Sequence, residues 1–184
     1  MNKELFKKYI DELNLKVTEK QLDQLEKYAV LLLEYNEHTN LTSIKTKEEV
    51  YLKHFYDSLT IVKYIDLNNY SSLADIGTGA GFPGMVLKIM FPHLRVVLMD
   101  SNNKKIKFLD ELIKLLDIKD VETINARSEE YALTHKDSFD IVTARAVTSL
   151  PILSELCLPL VRVNGYFIPL KADVTEELPA STNI

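Results

Sequence analysis

Between Ser72 and Gly84 the chain reads Ser-Leu-Ala-Asp-Ile-Gly-Thr-Gly-Ala-Gly-Phe-Pro-Gly. A short apolar run ends in Asp75, glycines follow at 77, 79 and 81, and a helix start follows them. Glycine lets the backbone turn tightly and bring bare N–H groups close to a ligand. Sixteen residues beyond Gly84, the run Val96-Val97-Leu98-Met99 ends in Asp100. A carboxylate at the tip of the second strand of a β-α-β unit is placed to grip ribose hydroxyls. These residue types at this spacing point to a nucleoside-bearing cofactor.

The same spacing excludes two common nucleotide sites. A dinucleotide fingerprint needs a third glycine three positions after the second, and Phe82 stands there. No G-x-x-x-x-G-K-[ST] run exists, so the loop is not a P-loop.

The loop needs strands and helices to hold it. From Leu73 onward, strand patterns at 73–76, 95–100, 121–125, 139–144 and 165–170 alternate with helical patterns at 83–90, 102–116 and 150–161. That alternation predicts an α/β fold, a mostly parallel sheet with helices on both faces. Residues 1–65 read as helices instead. Leu5, Phe6, Tyr9, Ile10 and Leu13 form a helical stripe. Thr18 and Gln21 make a capping box before Leu22, Leu25, Tyr28, Ala29, Leu32 and Leu33, a helix expected to fade near Asn36. Thr46 and Glu49 make another before Val50, Leu52, Phe55, Leu59 and Val62. No repeat or low-complexity linker divides the chain. The expected organisation is a helical cap, 1–65, packed on a Rossmann-like domain, 66–184, as one compact unit.

Composition bounds the function. The 184 residues are 46% hydrophobic and 27% charged, ordinary for a globular domain. The lone Cys157 lies in an apolar stretch, reads as core, and fits a reducing compartment. No apolar run approaches the ~20 residues of a membrane span, and the charged start lacks a signal-peptide core. A soluble, cytoplasmic protein is expected, with no membrane and no metal involved. The net charge of −5 argues against a protein that coats nucleic acid non-specifically, though Lys104, Lys105 and Lys107 form a local basic run.

Asp75-Ile76-Gly77-Thr78-Gly79-Ala80-Gly81-Phe82-Pro83-Gly84, followed by an acidic second-strand tip, resembles the S-adenosylmethionine-dependent class I methyltransferases. More specifically, it resembles the ribosomal small-subunit RNA guanine-N7 methyltransferase family, also called glucose-inhibited division protein B. Four more segments match that family in order: Tyr35–Thr42, His54–Leu59, Asn125–Glu130 and Phe139–Ala146. The resemblance runs from the N-terminus to about Lys171. It implies S-adenosylmethionine as cofactor and small-subunit ribosomal RNA, or the small subunit itself, as partner. It also implies a cofactor site of Asp75, Gly77, Gly79, Gly81, Phe82, Asp100, Ser128, Glu129 and Arg145, with Asp100 on the ribose and Ser128 and Glu129 flanking the adenine.

Guanine N7 carries a free lone pair at neutral pH and attacks without losing a proton. Such a reaction needs alignment rather than a general base. Other acceptors leave marks that are missing. The Asp/Asn-Pro-Pro-aromatic run of many adenine-amine enzymes is replaced by Thr143-Ala144-Arg145-Ala146, and a cytosine-C5 enzyme needs a nucleophilic cysteine. Arg145 is the candidate group at the strand-four tip. A guanidinium there can meet the cofactor, guanine O6 or a phosphate, or form a surface ion pair. His54 and Asp57, three apart on one helix face, either line a cleft or hold the cap to the sheet. Lys104, Lys105 and Lys171 are candidate RNA contacts, the first two equally a solvated helix start.

Family members usually continue through a further helix and two strands, so the last strands appear missing. That leaves strand five as an exposed edge, with reduced stability or self-association expected. Three rival readings stand beside the methyltransferase: the same cofactor with another substrate, a non-catalytic RNA-binding or assembly module, and a nucleotide-dependent oxidoreductase, which Phe82 and Asp75 disfavour.

Overall fold

The computed structural model describes residues 3–145, 147–171, 175 and 177–181. Five strands, β1 (Ser72–Ile76), β2 (Arg95–Met99), β3 (Val121–Ile124), β4 (Phe139–Arg145) and β5 (Val161–Leu170), lie in the order β3-β2-β1-β4-β5, every pairing parallel. The chain runs outward from β1 through β3, then returns to lay β4 on the other side of β1. That reversal opens a crevice beyond the carboxyl ends of β1 and β4, the usual ligand position in open α/β sheets.

Side chains alternate across the sheet, so each strand feeds two cores. Leu73 and Leu98 face the side covered by α5 (Gly84–Met90) and α6 (Asn103–Leu116). Ala74, Ile76, Val97, Met99 and Val142 face α7 (Ser128–Ala132) and α8 (Leu150–Cys157), where Cys157 is buried. The amino-terminal helices, α1 (Lys3–Glu12) and α2 (Glu19–Thr39), pack on the first side. Phe6, Ile10, Leu25 and Tyr28 share one core with Phe82, Met85 and Phe108. A short α9 (Leu178–Ser181) closes the described chain.

Helix α2 starts as its capping box predicts: Thr18 Oγ1 accepts from Gln21 N–H at 3.2 Å, and Gln21 Oε1 accepts from Thr18 N–H at 2.8 Å. It does not fade at Asn36 but runs to Thr39, stopped by Asn40 in the left-handed conformation at φ 51°. Asn36 instead points at the following loop and holds both the N–H and the carbonyl of Thr42. From α3 (Lys47–Glu49) the chain continues through a π-helical stretch, Val50–Tyr56, then α4 (Asp57–Leu59) and a 3₁₀ turn, Thr60–Lys63. The wider π turn changes the phase of the buried face. Tyr51 is 2% exposed while Leu52, expected on that face, is 44% exposed.

Strand β5 begins four residues before its expected start. Its first half does alternate, as Val161-Arg162-Val163-Asn164, but lies at the sheet edge, with Val163 80% exposed. Pairing with β4 slips between Phe139 and Ile141. Among the described residues β5 has β4 as its one neighbour. The expectation of absent later strands concerns the chain past Lys171, much of which lies outside the described residues. Helix α7 escaped the sequence reading because five residues are too few for a periodic stripe. No helix among the described residues is long and apolar enough to cross a membrane.

At the sheet end away from the crevice, Asp140 is fully buried. Its Oδ2 accepts from Ser71 N–H and Oγ, both at 2.8 Å, and from Ser72 N–H and Oγ at 2.8 and 3.0 Å. Arg162 Nε lies 2.5 Å from Oδ1, a charge contact out of line for a hydrogen bond. One carboxylate thus ties together the starts of β1, β4 and β5. Asp140→Ala should cost about 2–4 kcal/mol, because four donors lose their acceptor. Urea unfolding checks this, and an unchanged midpoint would show that the serines find other partners.

Candidate functional site

Asp75, the penultimate residue of β1 before the glycines, is fully buried. Its Oδ2 accepts from the Thr78 hydroxyl and from Gly84 N–H, each at 2.7 Å. These bonds draw both ends of the glycine loop onto the strand tip. Oδ1 is buried without a hydrogen-bond partner. Burial pushes the carboxyl up to about 7, against the pull of the Thr78 and Gly84 hydrogen bonds and the Arg145 charge. Two loop positions tolerate no side chain. Gly77 sits at φ 67°, and a Cβ there would stand 2.5 Å from Val147 Cγ2. Gly81 sits at φ 98°, and a Cβ would stand 2.6 Å from the Tyr28 hydroxyl.

Beyond the tips of β1, β2 and β3 lies a cleft of about 490 Å³. Gly77, Asp100, Lys105, Ser128, Glu129 and Val147 are among its walls. Asp100 follows β2 with its carboxylate nearly buried and held by three donors. Oδ2 accepts from Gly79 N–H at 3.0 Å and from Lys105 Nζ at 3.2 Å, and Oδ1 accepts from Asn102 N–H at 2.9 Å. The carboxylate is therefore already oriented by the loop and by the start of α6. Ser128 opens α7, with its hydroxyl donating to Leu156 O at 2.7 Å, and Glu129 follows, exposed.

Arg145, the last residue of β4, forms a second centre. Its Nη1 donates to Asp57 Oδ2 at 2.9 Å and to Lys53 O at 3.1 Å, and its Nη2 donates to His54 Nδ1 at 2.8 Å. A guanidinium only donates, so Nδ1 accepts, and the His54 proton sits on Nε2 and is given to Thr42 Oγ1 at 2.8 Å. Burial, and then the Arg145 charge, push His54 down to about 4. The imidazole stacks on Phe82 at 4.2 Å, the guanidinium carbon lies 5.1 Å from the same ring's centre, and Tyr28 stacks on Phe82 at 5.3 Å. The Tyr28 hydroxyl donates to Ala80 O. On the far side of Arg145 a wider cleft of about 840 Å³ opens, walled in part by Lys53, His54, Asp57, Tyr64 and Lys171.

Of the residues expected at the cofactor, Gly77, Asp100, Ser128 and Glu129 line one cleft. Gly79 reaches it through its bond to Asp100. Asp75, Gly81 and Phe82 lie beneath, holding the loop and the cap, because both Asp75 and Phe82 are buried. Arg145 faces the wider cleft and gathers His54 and Asp57 there, so this pair ties the cap to the end of β4 and also lines a cleft. Lys105 stands at the narrower cleft, paired with Asp100, whereas Lys104 is exposed on the opening turn of α6. Lys171 lines the wider cleft, with Nζ donating to Thr148 O at 2.9 Å and pairing with Glu177 at 2.5 Å. The sequence reading missed Val147, which follows the strand-four motif and covers Gly77. It also missed Thr42, which orients His54, although Thr42 closes the matched Tyr35–Thr42 segment. Among the described residues no cluster of three metal-ligating side chains occurs.

A parallel sheet of this order, a glycine loop tied to an acidic strand tip, and a second carboxylate at the next tip define a Rossmann-like methyltransferase domain. A precorrin-6Y C5,15-methyltransferase from Geobacter metallireducens superposes with a TM-score of 0.50 at 16% identity, over 62% of this chain and 60% of that one. A Pyrococcus horikoshii protein superposes with a TM-score of 0.56 at 19% identity, over 79% and 62%. Both show the fold alone. The family model described as rRNA small subunit methyltransferase G matches residues 21–183. A protein of that name from Bacillus subtilis is 48% identical over 179 residues, covering 96% of this chain and 75% of the relative. Another from Staphylococcus carnosus is 48% identical over 171 residues, covering 91% and 71%. The chain belongs to the rRNA small subunit methyltransferase G (GidB) family.

The His54 contact carries a pH signature. Its folded pKa of about 4 lies below the ordinary value of 6.5, so the folded state favours the neutral ring. The stability this gives is full above pH 6.5 and is lost as pH falls toward 4, where a protonated ring confronts Arg145. His54→Phe keeps the stack on Phe82 and cannot titrate. The variant should be less stable than wild type at neutral pH yet lose less stability between pH 6.5 and 4, as read from thermal melts. Parallel losses in the two proteins would refute the neutral assignment.

Proposed function

We propose that this chain transfers a methyl group from S-adenosylmethionine to N7 of a guanine in small-subunit ribosomal RNA. The observation that carries the reading is Asp100, held at the tip of β2 by Gly79 N–H and Lys105 beside the glycine loop, in a chain of this family. A cleft of about 490 Å³ is of the size that holds a small ligand. Its donors and acceptors suit a nucleoside: Asp100 for the ribose hydroxyls, and Ser128 and Glu129 beside the base, with Gly77 in the wall. When bound, the cofactor supplies an electrophilic sulfonium methyl.

The residues of the chain do the rest by placement. Arg145, locked by Asp57, His54 and Phe82, fixes a positive charge at the strand end between the two clefts. N7 needs no proton removed, so no side chain has to act as a base. The tightly organised cluster, with neutral His54 and buried Phe82, suits alignment more than proton transfer. Asp75, Gly81 and Phe82 support the site from beneath. We place the activity in the cytoplasm, in keeping with the free, buried thiol of Cys157 and a ribosomal substrate.

Incubation with methyl-labelled S-adenosylmethionine and either small subunits or their naked RNA tests this reading. Label should map to N7 of a guanine. Cofactor binding without transfer to either substrate would favour a binding or assembly module. Asp100→Ala should weaken S-adenosylmethionine binding about tenfold or more, for loss of a charge-assisted bond of ~1.5–3 kcal/mol. Calorimetry reads it, and unchanged affinity would reject the ribose role.

A further inference from the structure

Tyr64 ends the 3₁₀ turn Thr60–Lys63, with its N–H donating to Ile61 O at 3.1 Å, and its side chain is 85% exposed. It is unlike Tyr28, Tyr35 and Tyr51, each of which packs against another aromatic ring. Leaving a phenol face in water forgoes the burial that usually retains such a ring. The ring stands at the wider cleft, with Arg145 also in its wall.

The two clefts differ in charge. The narrower one sets Lys105 and Arg127 against Asp100 and Glu129. The wider one has Lys53, Arg145 and Lys171 against Asp57 in its lining. Lys53 and Lys171 also pair with Glu49 and Glu177, at 2.6 and 2.5 Å. Three cationic side chains, each paired with a carboxylate, thus line this cleft beside an exposed aromatic residue. That combination suits an unstacked nucleotide: a phosphate can compete with the carboxylates for their cations, and the ring offers a platform to any base. The cleft also shares Arg145 with the tip of β4, so a base entering it approaches the end of the sheet where the narrower cleft lies.

We propose that the wider cleft receives an unpaired nucleotide of RNA and that Tyr64 stacks on a base there. The proposal rests on the methyl-transfer reading for which base reacts, but its test separates the two. The probes are a short, fluorescently labelled, single-stranded oligoribonucleotide of mixed sequence, small-subunit RNA and S-adenosylmethionine. Loss of a stacked base corresponds to roughly fivefold to a hundredfold in affinity. Tyr64→Ala should weaken oligonucleotide binding by that factor and raise KM for small-subunit RNA, with S-adenosylmethionine affinity unchanged. Tyr64→Phe keeps the ring face and should restore both. Unchanged oligonucleotide affinity in Tyr64→Ala overturns the proposal, and methyl transfer at the wild-type KM in that variant then leaves the enzymatic reading standing. Tyr64-dependent oligonucleotide binding without methyl transfer by the wild-type protein supports the platform and removes the enzymatic reading.

Discussion

Asp75 Oδ2 takes two donors, the Thr78 hydroxyl and Gly84 N–H, and by doing so pins both ends of the glycine loop to the tip of β1. Everything around the site is placed relative to that pin. The loop carries Phe82 inward, where its ring receives Tyr28 on one stack and His54 on another. Tyr28 also reaches Ala80 O, so the second helix is tied to the loop by both ring and hydroxyl. Gly79, on the outward side of the same loop, offers its N–H to Asp100. Cap, loop and second-strand tip are thereby located by one buried carboxylate, at the cost of desolvating it.

The charges at the strand ends are arranged rather than merely present. Asp100 is held by backbone N–H groups and one lysine, and Arg145 by a carboxylate, a carbonyl and an imidazole. The imidazole stays neutral first because it is buried and then because a guanidinium faces its acceptor nitrogen. Thr42 Oγ1 accepts from its one N–H, at Nε2, and Thr42 is itself fixed by Asn36. This chain of contacts crosses from the end of α2 to the end of β4. It makes the helical cap part of the site, since without it Arg145 would lose every hydrogen-bond partner described for its guanidinium and keep the Phe82 ring.

The sequence made the backbone-limited part of this legible. A tight turn against a ligand demands glycine, and a ribose-binding strand tip demands an acid at a fixed distance, so Gly77, Gly79, Gly81 and Asp100 announce themselves by type and spacing. Strand-like runs alternating with helical ones placed all five strands, and the largest difference in bounds is at edge strand β5, whose exposed start lies outside the expected range. What stayed hidden depends on the third dimension. Arg145 meets His54 across 91 residues of chain, a contact no local pattern encodes. The π-helical stretch has no propensity signal, so the exchange of Leu52 for Tyr51 on the buried face was invisible. Phe82 and Asp75 read as ligand contacts because they lie in the motif; their burial beneath the loop has no local signal. Tyr64 and Val147 are single apolar residues in short connections, where periodicity has nothing to measure.

The account turns on which cleft takes which molecule. A crystal structure of this chain with S-adenosylhomocysteine bound would decide it. The account predicts the ribose hydroxyls on Asp100, the adenine beside Ser128 and Glu129, and the sulfur end directed toward Arg145. A nucleoside seated instead between Tyr64 and Lys171, with Asp100 still bound to Gly79 N–H and Lys105 alone, would contradict it.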